Sequence, residues 1–404
     1  LRNQHFKIYC VIIICVITLP ILCTMINYCS RLVVHHAVFQ ERELSGAISV
    51  PAKPELSVEA VLTRQFQTNF EKYLEYILAS RKTFTRVYNQ LLYSVFRSTD
   101  NKEILVGRED YLFEKPYPAA LLIEITAEEK TDLEQKIDRL AELGRRLKAR
   151  GVTLVVRMSP SKAEYYSEYL PVAYSRFIKM KENGAYAPNW RRVFLDKIAK
   201  VDIPFYDCHD FMQKLKEEGE ITFTKGGTHW SLSPMAGYIN GLNAYMEGLI
   251  HKKLGRLVVT SEQVINGQMG SVDDSDIWNL CWNAVSVKPN YPSPNITFQT
   301  IPGNATIRVF TVGQSFTTGL VNTIYSTTNP VWEETYFSWY DSRVLMYNSE
   351  TPTGIQISDT TEDFEQYLNM DVILIEFLEN GTGETQFEFV DHMLQYLDQI
   401  GAQQ

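Results

Sequence analysis

The stretch IRVFTVGQSF, residues Ile307–Phe316, decides how the rest of the chain is read. Ile307 to Val312 is a short run rich in β-branched side chains, the pattern of a strand buried on both faces. Gly313 and Gln314 break it, Ser315 sits at the turn, and a helix is expected from near Thr317. A serine at a strand-to-helix turn has two readings. It is an N-cap that satisfies the first free amides of the helix. Alternatively it is an exposed nucleophile beside backbone N–H groups able to hold an oxyanion. Thr317 occupies the position of the last glycine in G-x-S-x-G, so this is not that elbow.

The same strand-and-helix grammar recurs on either side. A helix is predicted over 127–150, where Thr126 and Glu129 have capping-box spacing and Leu133, Ile137, Leu140 and Leu147 keep one apolar face. Gly151 is placed to end it. VTLVVR (Val152–Arg157) then reads as a buried strand followed by the loop MSPSK (Met158–Lys162). DVILIE (Asp371–Glu376) is a third such strand, with a helix from roughly Thr385 to Gln399. Helices alternating with apolar strands predict an α/β fold of three layers around a mainly parallel sheet. Sites in such sheets form beyond the carboxyl ends of the strands, which directs attention to the loops after Arg157, Val312 and Glu376.

The N-terminus departs from this composition. Ile8 to Tyr28 is about 21 residues without a charge, enough to span a hydrocarbon core as a helix. Arg2 and Lys7 precede it and Arg31 follows, which favours a cytoplasmic N-terminus. No small-x-small site follows the run, and Leu22 before Cys23 spoils a lipoprotein-type site, so an uncleaved anchor is expected over a cleaved signal. Residues 1–29 are therefore assigned to the cytoplasmic end and a transmembrane anchor. Residues 30–105 are assigned to a linker, with Pro51 and Pro54 near its end, and a helical stalk over 57–97. Residues 106–404 form the main domain. Four of six cysteines lie in or beside the membrane run. Cys208 and Cys281 remain for the rest, as one bridge or as buried thiols, with no disulfide framework or zinc pattern. Lys and Arg number 39 against 48 Asp and Glu, for a net charge of −9. No basic stripe is present to neutralise phosphates, so a nucleic-acid partner is not expected.

A nucleophilic serine needs a base, and histidine is the usual one. Of seven histidines, His5, His35 and His36 flank the membrane run, His251 lies in a solvated HKK stretch, and His392 lies off the apolar face of the last helix. His209 in DCHDF and His229 in GGTHWS remain, each also readable as a structural histidine. No His, Cys and carboxylate cluster has metal-ligand spacing, and no nucleotide fingerprint is visible, so neither metal nor cofactor is expected. Trp332, Tyr336, Trp339 and Tyr340 crowd VWEETYFSWY, which is read as a packed, sheet-covering segment rather than a set of rings offered to sugar.

Several of these pieces, in this order, resemble the alginate O-acetyltransferase accessory family, AlgX/AlgJ. The resemblance runs from about Phe66 to the C-terminus. It is carried by GREDYLFE (Gly107–Glu114), SPSKAEYYSEYLP (Ser159–Pro171), KGGTHWS (Lys225–Ser231), SDIWNL (Ser275–Leu280), VGQSF and DVILIE. It implies a circularly permuted SGNH-hydrolase-like domain over 106–404, with His229 as catalytic base and Ser315 as nucleophile. It further implies O-acetylation of a polysaccharide outside the cytoplasmic membrane, with acetyl received through a membrane-bound O-acyltransferase partner. A carbohydrate acetylesterase and a non-catalytic polysaccharide-binding or export subunit are the alternatives. The sequence departs from the pattern at two places. Gly227 stands where the family often has an aspartate two residues before the histidine, and Gln314 stands where SGNH proteins commonly have the aspartate of GDS. That leaves three readings: a carboxylate from elsewhere, a Ser–His dyad, or an inactive site.

Overall fold

Strand-forming runs and covering helices alternate along the chain as the apolar pattern requires. The computed structural model describes residues 2–41, 43–44, 50–174, 189–266, 276–284, 292–340, 343–360, 363–381 and 383–402. The chain divides into two compact units, Leu1–Ile104 with Trp278–Ser286, and Leu105–Ile277 with Val287–Gln404.

The first unit holds the N-terminal helix Arg2–Val34, whose His5–Val34 part is long and apolar enough to cross a membrane or to act as a signal. The stretch read as helical over 57–97 is three helices, Val58–Leu62, Gln65–Ile77 and Arg81–Phe96. The breaks fall at Arg64 and Ser80, which adopt left-handed backbone with φ of 61° and 75° and so cannot continue a right-handed helix.

The second unit is built on a sheet. The strands are β1 (Ile104–Val106), β2 (Leu112–Glu114), β3 (Thr153–Ser159), β4 (Phe205–Asp207), β5 (Arg256–Asn266) and β6 (Pro292–Ile301). They continue with β7 (Arg308–Gly313), β8 (Glu334–Trp339), β9 (Arg343–Asn348), β10 (Ile355–Ser358) and β11 (Val372–Leu378). Seven of them form one sheet in the order β10-β9-β8-β7-β11-β3-β4. The run from β8 to β4 is parallel throughout, and β9 and β10 close one edge antiparallel. β5 and β6 form a separate antiparallel ribbon. VWEETYFSWY, expected to cover the sheet, instead contributes β8 to it; its aromatic and β-branched residues suit a strand.

Both faces of the sheet are covered, and β11 shows how. Val372 and Leu374 enter one core with the helices Leu232–Ile250 and Ser315–Ile324. Ile373, Ile375 and Phe377 enter the other, with the helices Ala127–Lys148, Trp190–Ile198 and Glu384–Gly401. Successive side chains on a strand point to opposite faces, so an unbroken apolar run is what a two-sided burial demands. Each such side chain contributes about 1.5–3 kcal/mol on full burial. The Ala127–Lys148 helix begins with the capping box of Thr126 and Glu129, and Gly151 after it has φ of +84°. Cys208 and Cys281 are buried free thiols.

One polar group interrupts the apolar pattern of β11. Glu376 lies directly across from Arg157 of β3, and both side chains are fully buried. Arg157 Nη2 lies 2.9 Å from Glu376 Oε1, and the Ser159 hydroxyl donates to the same oxygen. The other oxygen accepts from the Gln314 amide at 2.9 Å and from the Thr317 hydroxyl at 2.6 Å. The carboxylate therefore grips the start of the Ser315–Ile324 helix. Gly313 allows this approach, since a Cβ there would meet Thr317 Oγ1 at 2.0 Å and Glu376 Oε2 at 2.7 Å. Glu376→Ala strands the Arg157 charge in the interior and is expected to cost about 3–5 kcal/mol. Denaturant unfolding of the full chain in detergent measures this; an unchanged midpoint would refute the role given to the pair.

Candidate active site

Ser315 is the first residue of its helix, one residue past the carboxyl-side end of β7 and Gln314. The helix starts here rather than near Thr317, because Gln314 is extended (φ −117°, ψ −159°) and acts as the N-cap. Ser315 is therefore inside the first turn and is not the cap. First-turn amides have no intrahelical carbonyl to bind. The Gln314 amide is committed to Glu376.

His229 reaches the same place from a loop that is fixed at several points. Lys162, itself buried, donates from Nζ to the carbonyls of Lys225 at 2.9 Å and Gly227 at 2.7 Å. The Leu112 amide also donates to the Lys225 carbonyl, and Phe223 and Trp230 form a bridge across the base of the loop. Trp230 is buried against Tyr238, with ring centroids 4.7 Å apart. The His229 ring packs on Phe316, the residue after Ser315, at 4.7 Å. His229 and Ser315 both line a cleft of ≈ 680 Å³.

The carboxylate missing at Gly227 has a counterpart. Asp276, at the start of the short helix Asp276–Leu280, places Oδ2 3.4 Å from His229 Nδ1. Its other oxygen accepts the Thr228 amide at 2.9 Å and the Ile277 amide at 2.7 Å. A proton on Nδ1 directed at Asp276 leaves Nε2 as the basic nitrogen. Glu114 of β2 accepts from the Thr228 hydroxyl at 3.0 Å. Burial pushes the Glu114 carboxyl above its ordinary range, the Thr228 bond opposes this, and the nearby Asp276 charge adds to it. SDIWNL was legible as part of a resemblance, but nothing in its spacing marked Asp276 as the partner of a histidine 47 positions earlier. Lys162 carried no signal beyond its loop, and Glu114 none beyond GREDYLFE.

His209, the other candidate base, lies elsewhere. It starts the helix His209–Glu217, and its Nδ1 is 3.1 Å from Tyr165 Oη, 3.1 Å from Arg191 Nη2 and 3.4 Å from Glu379 Oε1. It does not line the Ser315 cleft. The far part of that cleft is walled by Phe298 of β6 and by Trp339 and Arg343 of β8 and β9, with the guanidinium 4.1 Å over the indole centroid. Of the four crowded rings Trp339 faces the cleft, while Trp332 is buried and donates to Asn243 at 2.9 Å.

A mainly parallel sheet with a serine beyond a central strand, and a histidine and carboxylate brought to it from loops, defines an SGNH hydrolase-like α/β fold. Residues 104–235 match the family model described as ALGX, SGNH hydrolase-like domain, acetyltransferase AlgX. That segment, about a third of the chain, is AlgX-like; it includes Lys162 and His229 and ends before Asp276 and Ser315. No curated protein matches the chain. Among solved structures it is similar to the O-acetyltransferase domain of Pseudomonas putida AlgJ, at 16% identity over 69% of this chain and 91% of that one, with a TM-score of 0.41. Pseudomonas aeruginosa AlgX is similar at 15% identity over 72% and 67%, with a TM-score of 0.43. Bacillus cereus PatB1 is similar at 12% identity over 71% and 99%, with a TM-score of 0.42.

The His209 cluster makes a pH prediction. The hydrogen bond to Glu379 raises the histidine above its ordinary value of 6.5, against the opposing effect of burial. A raised histidine stabilises fully below its unfolded value and loses that contribution as pH climbs through the folded one. The stability gap between wild type and His209→Gln should therefore be larger near about pH 5.5 than near about pH 8.5. Denaturant midpoints at the two pH values test this, and equal gaps would rule it out.

Proposed function

We propose that this protein is an O-acetyltransferase that acetylates a polysaccharide outside the cytoplasmic membrane through an acetyl-serine intermediate. The observation that carries the reading is the placement of Asp276 against His229 Nδ1 with His229 and Ser315 on one cleft. In this reading Asp276 orients and stabilises the imidazole, His229 is the base and Ser315 the nucleophile. Ser315 Oγ attacks the acetyl carbonyl of the donor and its proton passes to His229 Nε2. The tetrahedral oxyanion faces the first-turn amide of Ser315. The donor's oxygen then leaves with the proton from His229, and the acetyl group stays on serine. A sugar hydroxyl gives its proton to His229 and attacks the acetyl-serine, which forms the acetyl ester and restores the serine.

The donor in this reading is a membrane-bound O-acyltransferase, and the N-terminal helix is a single-pass anchor that keeps the domain on the extracytoplasmic side. The cleft lining includes a ring, Trp339, and hydrogen-bonding side chains, Thr318 and Asn322, which are the kinds of groups a sugar acceptor uses. Gly227 follows from the geometry as well. The orienting carboxylate comes from Asp276, and the buried Gly227 is left to present its carbonyl to Lys162.

Ser315→Ala should abolish both acetyl transfer and the single acetyl adduct that a chromogenic acetate ester leaves on the wild type. An equal adduct on the variant, read by intact-protein mass spectrometry, would exclude Ser315. Transfer to water alone, with no glycan product, would favour the esterase reading, and no adduct on the wild type the binding-subunit reading. Asp276→Asn should lower the acylation rate by up to roughly four powers of ten, the scale of that loss in a complete triad. Gly227→Asp should give no gain while Asp276 is present. A rate in Asp276→Asn equal to wild type, or a large gain in Gly227→Asp, would show that Asp276 is not the orienting carboxylate.

A further inference from the structure

We infer that Trp278, seated on Tyr93, is a positioning residue that sets the reach of the Asp276 carboxylate to His229. This rests on the reading of Asp276 as the carboxylate that orients the imidazole. Asp276 Oδ2 is 3.4 Å from His229 Nδ1, just outside the roughly 2.7–3.2 Å of an N–H···O hydrogen bond. A small displacement therefore decides whether that bond forms, and whatever holds Asp276 in place bears on the chemistry. The carboxylate stands at the start of the short helix Asp276–Leu280. So short a helix is not stable by itself, and its position comes from what its side chains pack against.

Ile277, Trp278 and Cys281 are all buried. The Trp278 ring meets Tyr93 edge-on, with centroids 5.2 Å apart and planes at 89°, an arrangement that aromatic quadrupoles favour. Tyr93 is a buried residue of the helix Arg81–Phe96, and the Arg97 guanidinium lies 4.8 Å from its ring centroid. At the end of the short helix, Asn101 Nδ2 donates to the Leu280 carbonyl at 3.4 Å, and Cys281 hydrogen-bonds with Thr99. Asn89 pins the loop that makes these contacts. It is fully buried and accepts the Thr99 hydroxyl and the Asp100 amide, both at 2.8 Å. Trp278 and these partners belong to the first unit, Asp276 and His229 to the second, and the one short helix carries both Asp276 and Trp278. Side chains two apart on a helix project about 200° apart, so Trp278 can seat on Tyr93 without competing with Asp276 for the imidazole.

The test is acylation of the full chain in detergent by a chromogenic acetate ester, timed by intact-protein mass spectrometry over a range of pH. Trp278→Ala should slow acylation by roughly 10²-fold, the scale of a small misplacement caused from outside the reacting groups. The ester concentration giving half-maximal rate should change little. The pH midpoint of acylation should move in the direction in which Asp276→Asn moves it, and Trp278→Phe, which keeps a ring against Tyr93, should restore most of the rate. In the Asp276→Asn background Trp278→Ala should cost nothing further, because residues that act through one group are not additive. Tyr93→Leu removes the same contact from its other side and should repeat these results, which gives a reading if Trp278→Ala fails to fold. A wild-type rate in both variants, a loss that leaves the pH midpoint unmoved, or a loss that adds in full to that of Asp276→Asn would overturn the inference and leave Asp276 in its role. A rate in Asp276→Asn equal to wild type would instead remove the role of Asp276, and this inference with it.

Discussion

A fully buried glutamate on the central strand β11 accepts hydrogen bonds or a charge from Arg157, Ser159, Gln314 and Thr317. Its desolvation costs several kcal/mol, as does that of Arg157, and only complete hydrogen bonding makes such a pair tolerable. What the arrangement secures is position. Through Gln314 and Thr317 the carboxylate ties the carboxyl end of β7 to β11, and through Arg157 and Ser159 it ties β11 to β3. Three adjacent strands are thus locked at the end where the candidate nucleophile sits. Gly313 is the packing condition for this lock, since any side chain there would occupy the space of Thr317 and Glu376.

The histidine side of the site depends on a second buried cation. Lys162 follows β3 and spends its ammonium on two carbonyls of the Lys225–Ser231 loop. It lies over the rings of Tyr111 and Phe113 at 5.6 and 5.4 Å, where cation–π attraction replaces part of its lost hydration. The loop is therefore held by the same sheet end that holds Ser315. Asp276 approaches the imidazole, with Oδ2 3.4 Å from Nδ1, while its other oxygen accepts the Thr228 amide. Ser315 and His229 come from segments far apart in the chain, but both are referenced to β3, β7 and β11.

The antiparallel edge contributes shape. β8 and β9 carry Trp339 and Arg343 to the cleft, and the β5–β6 ribbon adds Phe298 opposite the Ser315 helix. The crowding of aromatics in VWEETYFSWY is thus divided by the strand period: Trp332 before the strand is core, and Trp339 at its end is cleft wall. Alternation along a strand makes that division automatic.

Local patterns alone determined the three apolar strands, the capped helix after Thr126 and the parallel α/β class, because period and capping act over a few residues. They also singled out Ser315 by its strand-to-turn context and reduced the histidines to two. The choice between His209 and His229 was beyond local pattern, since it depends on which loop the sheet brings over β7. The structure puts His209 with Glu379 and Arg191, and His229 against Phe316. Asp276, Lys162 and the Arg157–Glu376 pair were illegible for the same reason. Each acts on a partner 47 to 219 positions away, and only the stacking of parallel strands, whose register pairs Glu376 with Arg157, brings those charges within hydrogen-bonding distance.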